Sequence, residues 1–290
     1  MFQTIIKFFI LLIILSIIAL ISCAPPKYTP SFRVEMKSLD LSPLKGRKIV
    51  IDPGHGGKSR GARSAYKING RYVWEKDVVL SVSKRLKHLI DASPHLVCVL
   101  TREDDYYVSL GERVDFAQNL NADMFVSIHC NAGPGFKPTK ARGIEFFCWS
   151  ERGSRNEALR FLERLENDEN VASPKERNNQ ILFTRLLRDS LTYQKEASYR
   201  LCEALDKEFR RYPYFQRYNR GIKEARFRVL ANGGMPAVLI EIGFISNKYE
   251  ARHLVDSHFK GIIARAIFNG INRYFASIDS NFVPRVYALK

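Results

Sequence analysis

Lys48-Ile49-Val50-Ile51-Asp52-Pro53-Gly54-His55-Gly56-Gly57 runs from an apolar, β-branched segment straight into a turn rich in proline and glycine. A short apolar run closed by Pro-Gly is the pattern of a buried strand. Three further β-rich runs, His95 to Thr101, Met124 to His129 and Ala237 to Ile242, repeat it with helical patterns between them. Between the first two runs, Val78, Val79, Val82, Leu86 and Leu89 fall at spacings of three and four, the apolar face of an amphipathic helix. A last helix, His258 to Phe275, carries Ile262, Ala266 and Ile267 in the same manner. Alternation of strand and helix predicts an α/β fold.

Working outward, the folded region is expected to span residues 47–276, followed by an irregular tail over 277–290. A chain of 290 residues with 46% hydrophobic content can bury one sizeable core. The segment Ser150 to Tyr193 breaks the pattern. It is highly charged and inserts helical stripes, Ala158, Phe161, Leu162 and Leu165, then Ile181, Leu182, Leu186 and Leu187, around the breaker Ser173-Pro174. A compact α/β unit needs only a short connection there, so 150–193 reads as a helical insertion.

At the other end, Lys7 precedes an apolar run from Phe8 to Ile21, shorter than the roughly 20 residues of a spanning helix. Residues 1–22 therefore read as a signal peptide. The run ends Leu20-Ile21-Ser22-Cys23, which resembles the lipobox of bacterial lipoproteins. That resemblance implies a lipidated Cys23 anchored in a membrane. Residues 23–46, polar and containing Pro25, Pro26, Pro30 and Pro43, form a tether, with no separate wall-binding domain before Arg47. The remaining thiols, Cys98, Cys130, Cys148 and Cys202, show no CxxC pair and are read as small buried apolar residues. A net charge of +16 favours anionic partners. Because the basic residues are scattered rather than blocked, nucleic acid is not expected among them.

The chemistry sits where the apolar runs end. Gly57-Lys58-Ser59 invites a phosphate-loop reading, but that loop needs Gly at the position held by Asp52, whose charge would repel phosphate. The loop instead presents His55. A second histidine, His129, closes the run from Met124, and Glu75 stands at the start of a helix in Trp74-Glu75-Lys76. Two histidines and one carboxylate can hold Zn²⁺ with a fourth position open for water, as hydrolytic sites do. Glu241 lies inside the apolar run Val238-Leu239-Ile240-Glu241-Ile242. A buried carboxylate is costly, so it needs a partner or a purpose, and a general base beside zinc is one. Cys130 next to His129 could suggest a thiol nucleophile, but consecutive strand residues point to opposite faces.

Together these stretches resemble the zinc-dependent N-acetylmuramoyl-L-alanine amidases of bacterial cell division and sporulation. The resemblance runs from about Lys48 to Phe275. Its motifs are Ile51-Asp52-Pro53-Gly54-His55-Gly56-Gly57, Glu75-Lys76, Leu100-Thr101-Arg102, the run Ala122 to Ala132, and Glu241-Ile242-Gly243-Phe244-Ile245-Ser246-Asn247. It implies a three-layer sandwich around a twisted mixed sheet. It also implies His55, Glu75 and His129 as zinc ligands and Glu241 as the catalytic carboxylate. The substrate would be peptidoglycan, cut between N-acetylmuramic acid and L-alanine in the periplasm during wall remodelling or daughter-cell separation. Cys130 and Val79 depart from residues common in the family, which bears on local packing and leaves the ligands intact. In division amidases of this kind a helix covers the zinc until a partner withdraws it. By that resemblance 150–193 would be regulatory and an activator's target, with Glu151, Glu163 or Glu166 as the covering carboxylate. Two other functions use the same scaffold: a zinc carboxypeptidase acting on stem peptides, and a non-catalytic wall-binding lipoprotein.

Overall fold

The structure, a computed structural model, describes residues 46–150, 167, 180–231 and 234–280. Six strands form one mixed sheet in the order β2-β1-β3-β6-β4-β5. In chain order these are β1 (Arg47–Pro53), β2 (Leu96–Leu100), β3 (Met124–Asn131), β4 (Ile144–Trp149), β5 (Asn219–Ala225) and β6 (Ala237–Phe244). β1, β2, β3 and β6 pair in parallel, while β4 runs antiparallel to β6 and parallel to β5. The first residues of β4 and β5 therefore lie at the sheet edge where β1, β3 and β6 end.

Alternation of side chains divides the sheet into two faces. Ile49, Ile51, Val126, Ile128, Ile240, Phe146 and Cys148 join the main core. Above them lie α1 (Glu75–Asp91), α3 (Gln180–Phe209) and α6 (Ser257–Ile278), with α6 packed on both α1 and α3. α1 buries Val78, Val79, Val82 and Leu86 of the stripe expected from spacing, at about 2 kcal/mol for each fully buried side chain, but Ile90 takes the buried place expected of Leu89, which is only partly buried. The opposite face is covered by α2 (Leu110–Asn119), which buries Phe116 and Ala117 and packs on the short 3-10 turn Arg228–Leu230. The Ser109 side chain and Glu112 close a reciprocal capping box at the start of α2, which makes the helix begin there. Two short helices, α4 (Pro213–Arg217) and α5 (Lys248–Val255), complete the described α-helices.

Three further features differ from the sequence reading. β4 and β5 join the sheet as strands that the sequence reading did not distinguish, and the helix beginning at Gln180 runs without a break to Phe209. Residues 180–193 are thus the opening turns of a core helix. Residues 151–166 and 168–179, which include Glu151, Glu163 and Glu166, lie outside the described residues, as do 1–45 and 281–290. Asn167 is described: its side chain donates to the Arg226 carbonyl at 2.8 Å and accepts the Arg228 amide at 2.9 Å. α6 continues to Ile278, two residues into the stretch read as tail.

All four described cysteines are buried free thiols, and the Cys148 and Cys202 sulfurs stand 3.1 Å apart between β4 and α3. Among the described residues, no helix is long and apolar enough to cross a membrane.

Candidate metal centre

The loop after β1 brings His55 over the carboxyl edge of the sheet in an unusual backbone state. His55 has φ 59, the left-handed region that a side chain disfavours by about 1–2 kcal/mol. Two buried arginines hold it there. Arg113 donates through Nη2 to the His55 carbonyl at 2.7 Å and through Nη1 to the Pro53 carbonyl at 2.9 Å. Arg102 donates to the carbonyls of Pro53, Gly54 and Lys76 at 2.8 to 2.9 Å. Asp52 balances this charge from below, accepting from Arg113 Nη1, the Thr101 hydroxyl and the Ser127 hydroxyl. Burial works to raise the Asp52 pKa, but Arg113 and the hydroxyls outweigh it and hold the group below the usual carboxylate range. Burial, with Arg113 beside it, pulls the Arg102 guanidinium down to about 10.

Glu75 is the first residue of α1, fully buried, where the helix N-terminus favours a negative charge. Its two oxygens divide the work of positioning. Oε2 accepts the Ala62 amide at 2.7 Å and lies 3.3 Å from His55 Nε2. Oε1 accepts the Cys130 amide at 2.8 Å and lies 3.1 Å from His129 Nδ1. Burial opposes ionisation of Glu75, yet the two histidines outweigh it and hold the carboxyl well below its usual range. On the far side of the ring, His55 Nδ1 meets the Ser59 hydroxyl at 3.0 Å, which orients the imidazole.

The sequence-predicted ligands therefore converge. Ligand atoms of His55, Glu75 and His129 all lie within 4.8 Å of one another, in a buried cluster. The two imidazoles meet edge to face with centroids 5.0 Å apart. Glycines leave room for them: a Cβ on Gly54 would stand 2.3 Å from His129 Cε1, and one on Gly61 would stand 2.5 Å from Glu75 Oε2. Two imidazole nitrogens and a carboxylate held by backbone amides can bind a divalent cation.

Glu241 is fully buried and is the register partner of His129 in the neighbouring strand, so both lie on one sheet face. Cys130, by contrast, belongs to the core on the other face. Past Glu241 the chain locks the surrounding loops. The Ser246 hydroxyl accepts the Gly133 amide at 2.8 Å, and the Asn247 side chain donates to the Thr139 and Ala141 carbonyls.

Three supporting groups escaped the sequence reading of the site. Arg113 looks like an ordinary helix cation, Ser59 like a loop hydroxyl, and Glu145 was not distinguished at all. A charged residue inside the apolar run Ile144-Glu145-Phe146-Phe147 was the available signal, the same one that marked Glu241.

Comparison with known proteins gives the family. Residues 49–273 match a family described as N-acetylmuramoyl-L-alanine amidase. The chain is similar to the N-acetylmuramoyl-L-alanine amidase AmiA of Salmonella typhimurium, 35% identical over 241 residues that cover 81% of this chain and 78% of AmiA. It is 31% identical to AmiC of Escherichia coli over 237 residues, 79% of this chain and 52% of AmiC, so it spans about half the length of that relative. Among solved structures, the CwlD amidase from Clostridioides difficile in complex with the GerS lipoprotein superposes with TM-score 0.58 at 28% identity, over 81% of this chain and 100% of that one.

Proposed function

Since this chain belongs to the N-acetylmuramoyl-L-alanine amidase family, we propose that it hydrolyses the amide between N-acetylmuramic acid and the L-alanine of the peptidoglycan stem peptide, using zinc held by His55, Glu75 and His129. The convergence of those three side chains within 4.8 Å carries the reading. Their donor set, two nitrogens and one oxygen, is that of catalytic rather than structural zinc sites. The space beside Gly54 and Gly61 and the amides that fix Glu75 support the same fit.

His55, Glu75 and His129 would hold the zinc, which would supply Lewis-acid polarisation of the scissile carbonyl. The chain's residues do the rest. Glu241 accepts a proton from the attacking water and passes it to the L-alanine nitrogen as the carbon–nitrogen bond breaks. Its register beside His129 supports that role. Arg102 and Arg113 keep the His55 loop in its strained state, so the imidazole needs no rearrangement to bind.

The same reading places the enzyme on the wall side of a membrane, tethered through a lipidated Cys23, with the part of 150–193 that precedes the helix from Gln180 as the surface an activator acts on. The CwlD–GerS complex supports a protein partner for an amidase of this family.

Protein lacking residues before Ala24 is expected to bind about one zinc per chain, measured by mass spectrometry of the metal, and His55→Ala to lose it. Glu241→Gln should keep zinc while turnover falls about 100-fold or more, because an amide cannot take the water's proton. Mass spectrometry of digested peptidoglycan should show free stem peptides. Release of C-terminal D-amino acids instead would assign a carboxypeptidase.

A further inference from the structure

One strand beyond Glu241, the same edge of the sheet carries a second polar cluster. Glu145, near the start of β4, is the register partner of Glu241 and only 2% exposed. Carboxylates side by side on one face repel, so each requires compensation. Glu145 Oε2 accepts the Asn131 side-chain amide at 2.8 Å. Glu145 Oε1 accepts two cations, Lys223 Nζ at 2.6 Å and the Nε–H of Arg220.

Arg220 and Lys223 are three residues apart on β5, and in an unbroken strand such residues face opposite sides. Here the register slips: Ile144 pairs with Asn219 but Phe146 with Ile222, so β5 takes three steps where β4 takes two. Gly221, at φ 78, lies within the extra step. This bulge brings both cations onto one carboxylate oxygen, two positive charges against the single charge of Glu145. Their side chains are 39% and 26% exposed. Among the described residues, Arg220 donates only through Nε, and its guanidinium lies 5.1 Å over the Phe244 ring at the end of β6. Both Nη groups, and two of the three Lys223 N–H groups, thus remain for a ligand.

We infer that Arg220 and Lys223, positioned by Glu145, form a carboxylate-binding lip that selects stem peptides whose carboxylates are free. The inference rests on the amidase reading above. Adjacent strands lie about 4.8 Å apart, so β5 is about 14 Å from β3 and His129. An extended peptide covers about 3.4 Å per residue. The cations reach back to Glu145 on β4, about 10 Å from β3, so with its first amide at the metal the third and fourth residues of a stem crossing the strands come within reach of the lip.

The test uses the full zinc-loaded chain and two muropeptides of identical glycan, one with free and one with amidated stem carboxylates. Arg220→Met and Lys223→Met should each raise KM for the free-acid substrate about tenfold, as loss of a charge-assisted contact does, with kcat and the amidated substrate unaffected. Glu145→Gln should act in the same direction, and Arg220→Lys should restore part of the loss. Equal effects on both substrates, or none on either, would overturn the lip. Calorimetric binding of the isolated stem peptide, free or amidated, reads the lip without cleavage. If wild-type protein released no stem peptide, the amidase reading would fail, while a preference for the free-acid peptide lost in Arg220→Met would uphold the lip. Equal binding of the two peptides would reject it.

Discussion

At the scale of single residues, the site depends on a buried pair beneath it. Asp52 and Arg113 lie 2.5 Å apart, each almost inaccessible, and Arg113 also holds the His55 carbonyl. Removing one partner of a buried pair leaves the other uncompensated. Arg113→Met is therefore expected to lower stability by about 3–5 kcal/mol in urea unfolding and to weaken zinc binding, with Asp52→Asn in the same background recovering part of the stability. A loss below about 1 kcal/mol would mean that the Thr101 and Ser127 hydroxyls suffice for Asp52. Glu250 behaves in the opposite sense. It is 2% exposed, and burial pushes its carboxyl up to about 7, against the opposing pull of the Phe244 and Gly143 amides and the Tyr214 hydroxyl. A carboxyl raised in the folded state stabilises fully below its unfolded pKa, and that contribution is lost as pH rises toward 7. The stability of wild type relative to Glu250→Gln should accordingly fall between pH 5 and pH 8, measured by thermal unfolding. A difference that stays flat across that window would exclude the titration.

Among elements, α3 and α6 approach closely at Gly270. A Cβ on Gly270 would stand 2.8 Å from the Leu205 Cα and 2.7 Å from its Cδ2. Here the obstruction is backbone, which cannot turn aside as a flexible side chain can. Gly270→Ala should separate the helices and cost about 1–3 kcal/mol. That corresponds to a fall of several degrees in Tm for a domain of this size, with turnover per folded molecule retained at 25 °C. An unchanged Tm would show that the pair slides apart without losing contact. The bulge in β5 belongs to the same scale. One extra residue redirects two cations, and nothing in their chemical type would have placed them together.

For the whole molecule, the candidate metal centre joins segments distant in sequence: the loop after β1, the N-terminus of α1 and the end of β3. A ligand bound only in the folded state stabilises it by mass action, about 2.7 kcal/mol at a free concentration of 100 times Kd. Chelation should therefore lower Tm, and zinc should restore it in wild type but not in His55→Ala. Equal Tm with and without metal would mean the site contributes nothing to folding.

Which residues are buried, and in which element, is written locally. β1, β3 and β6 are continuous apolar runs, and the α1 stripe has a 3.6-residue period, so these elements and the charged residue Glu241 inside one of them could be read directly. His55, Glu75 and His129 were legible because each stands where such a run or helix begins or ends. β5, Asn219-Arg220-Gly221-Ile222-Lys223-Glu224-Ala225, is an edge strand with polar residues throughout, and its sequence carries no period of two. The reversed direction of β4 and β5 could not be read either, nor the neighbourhood of Glu145 with Glu241 that follows from it. Strand pairing is decided by contacts between segments far apart in the chain, where closure of the intervening loops and the shared core select one register. Local composition determined what the chain buries and which polar side chains stand at the ends of its buried elements; only the assembled sheet decided which of them meet.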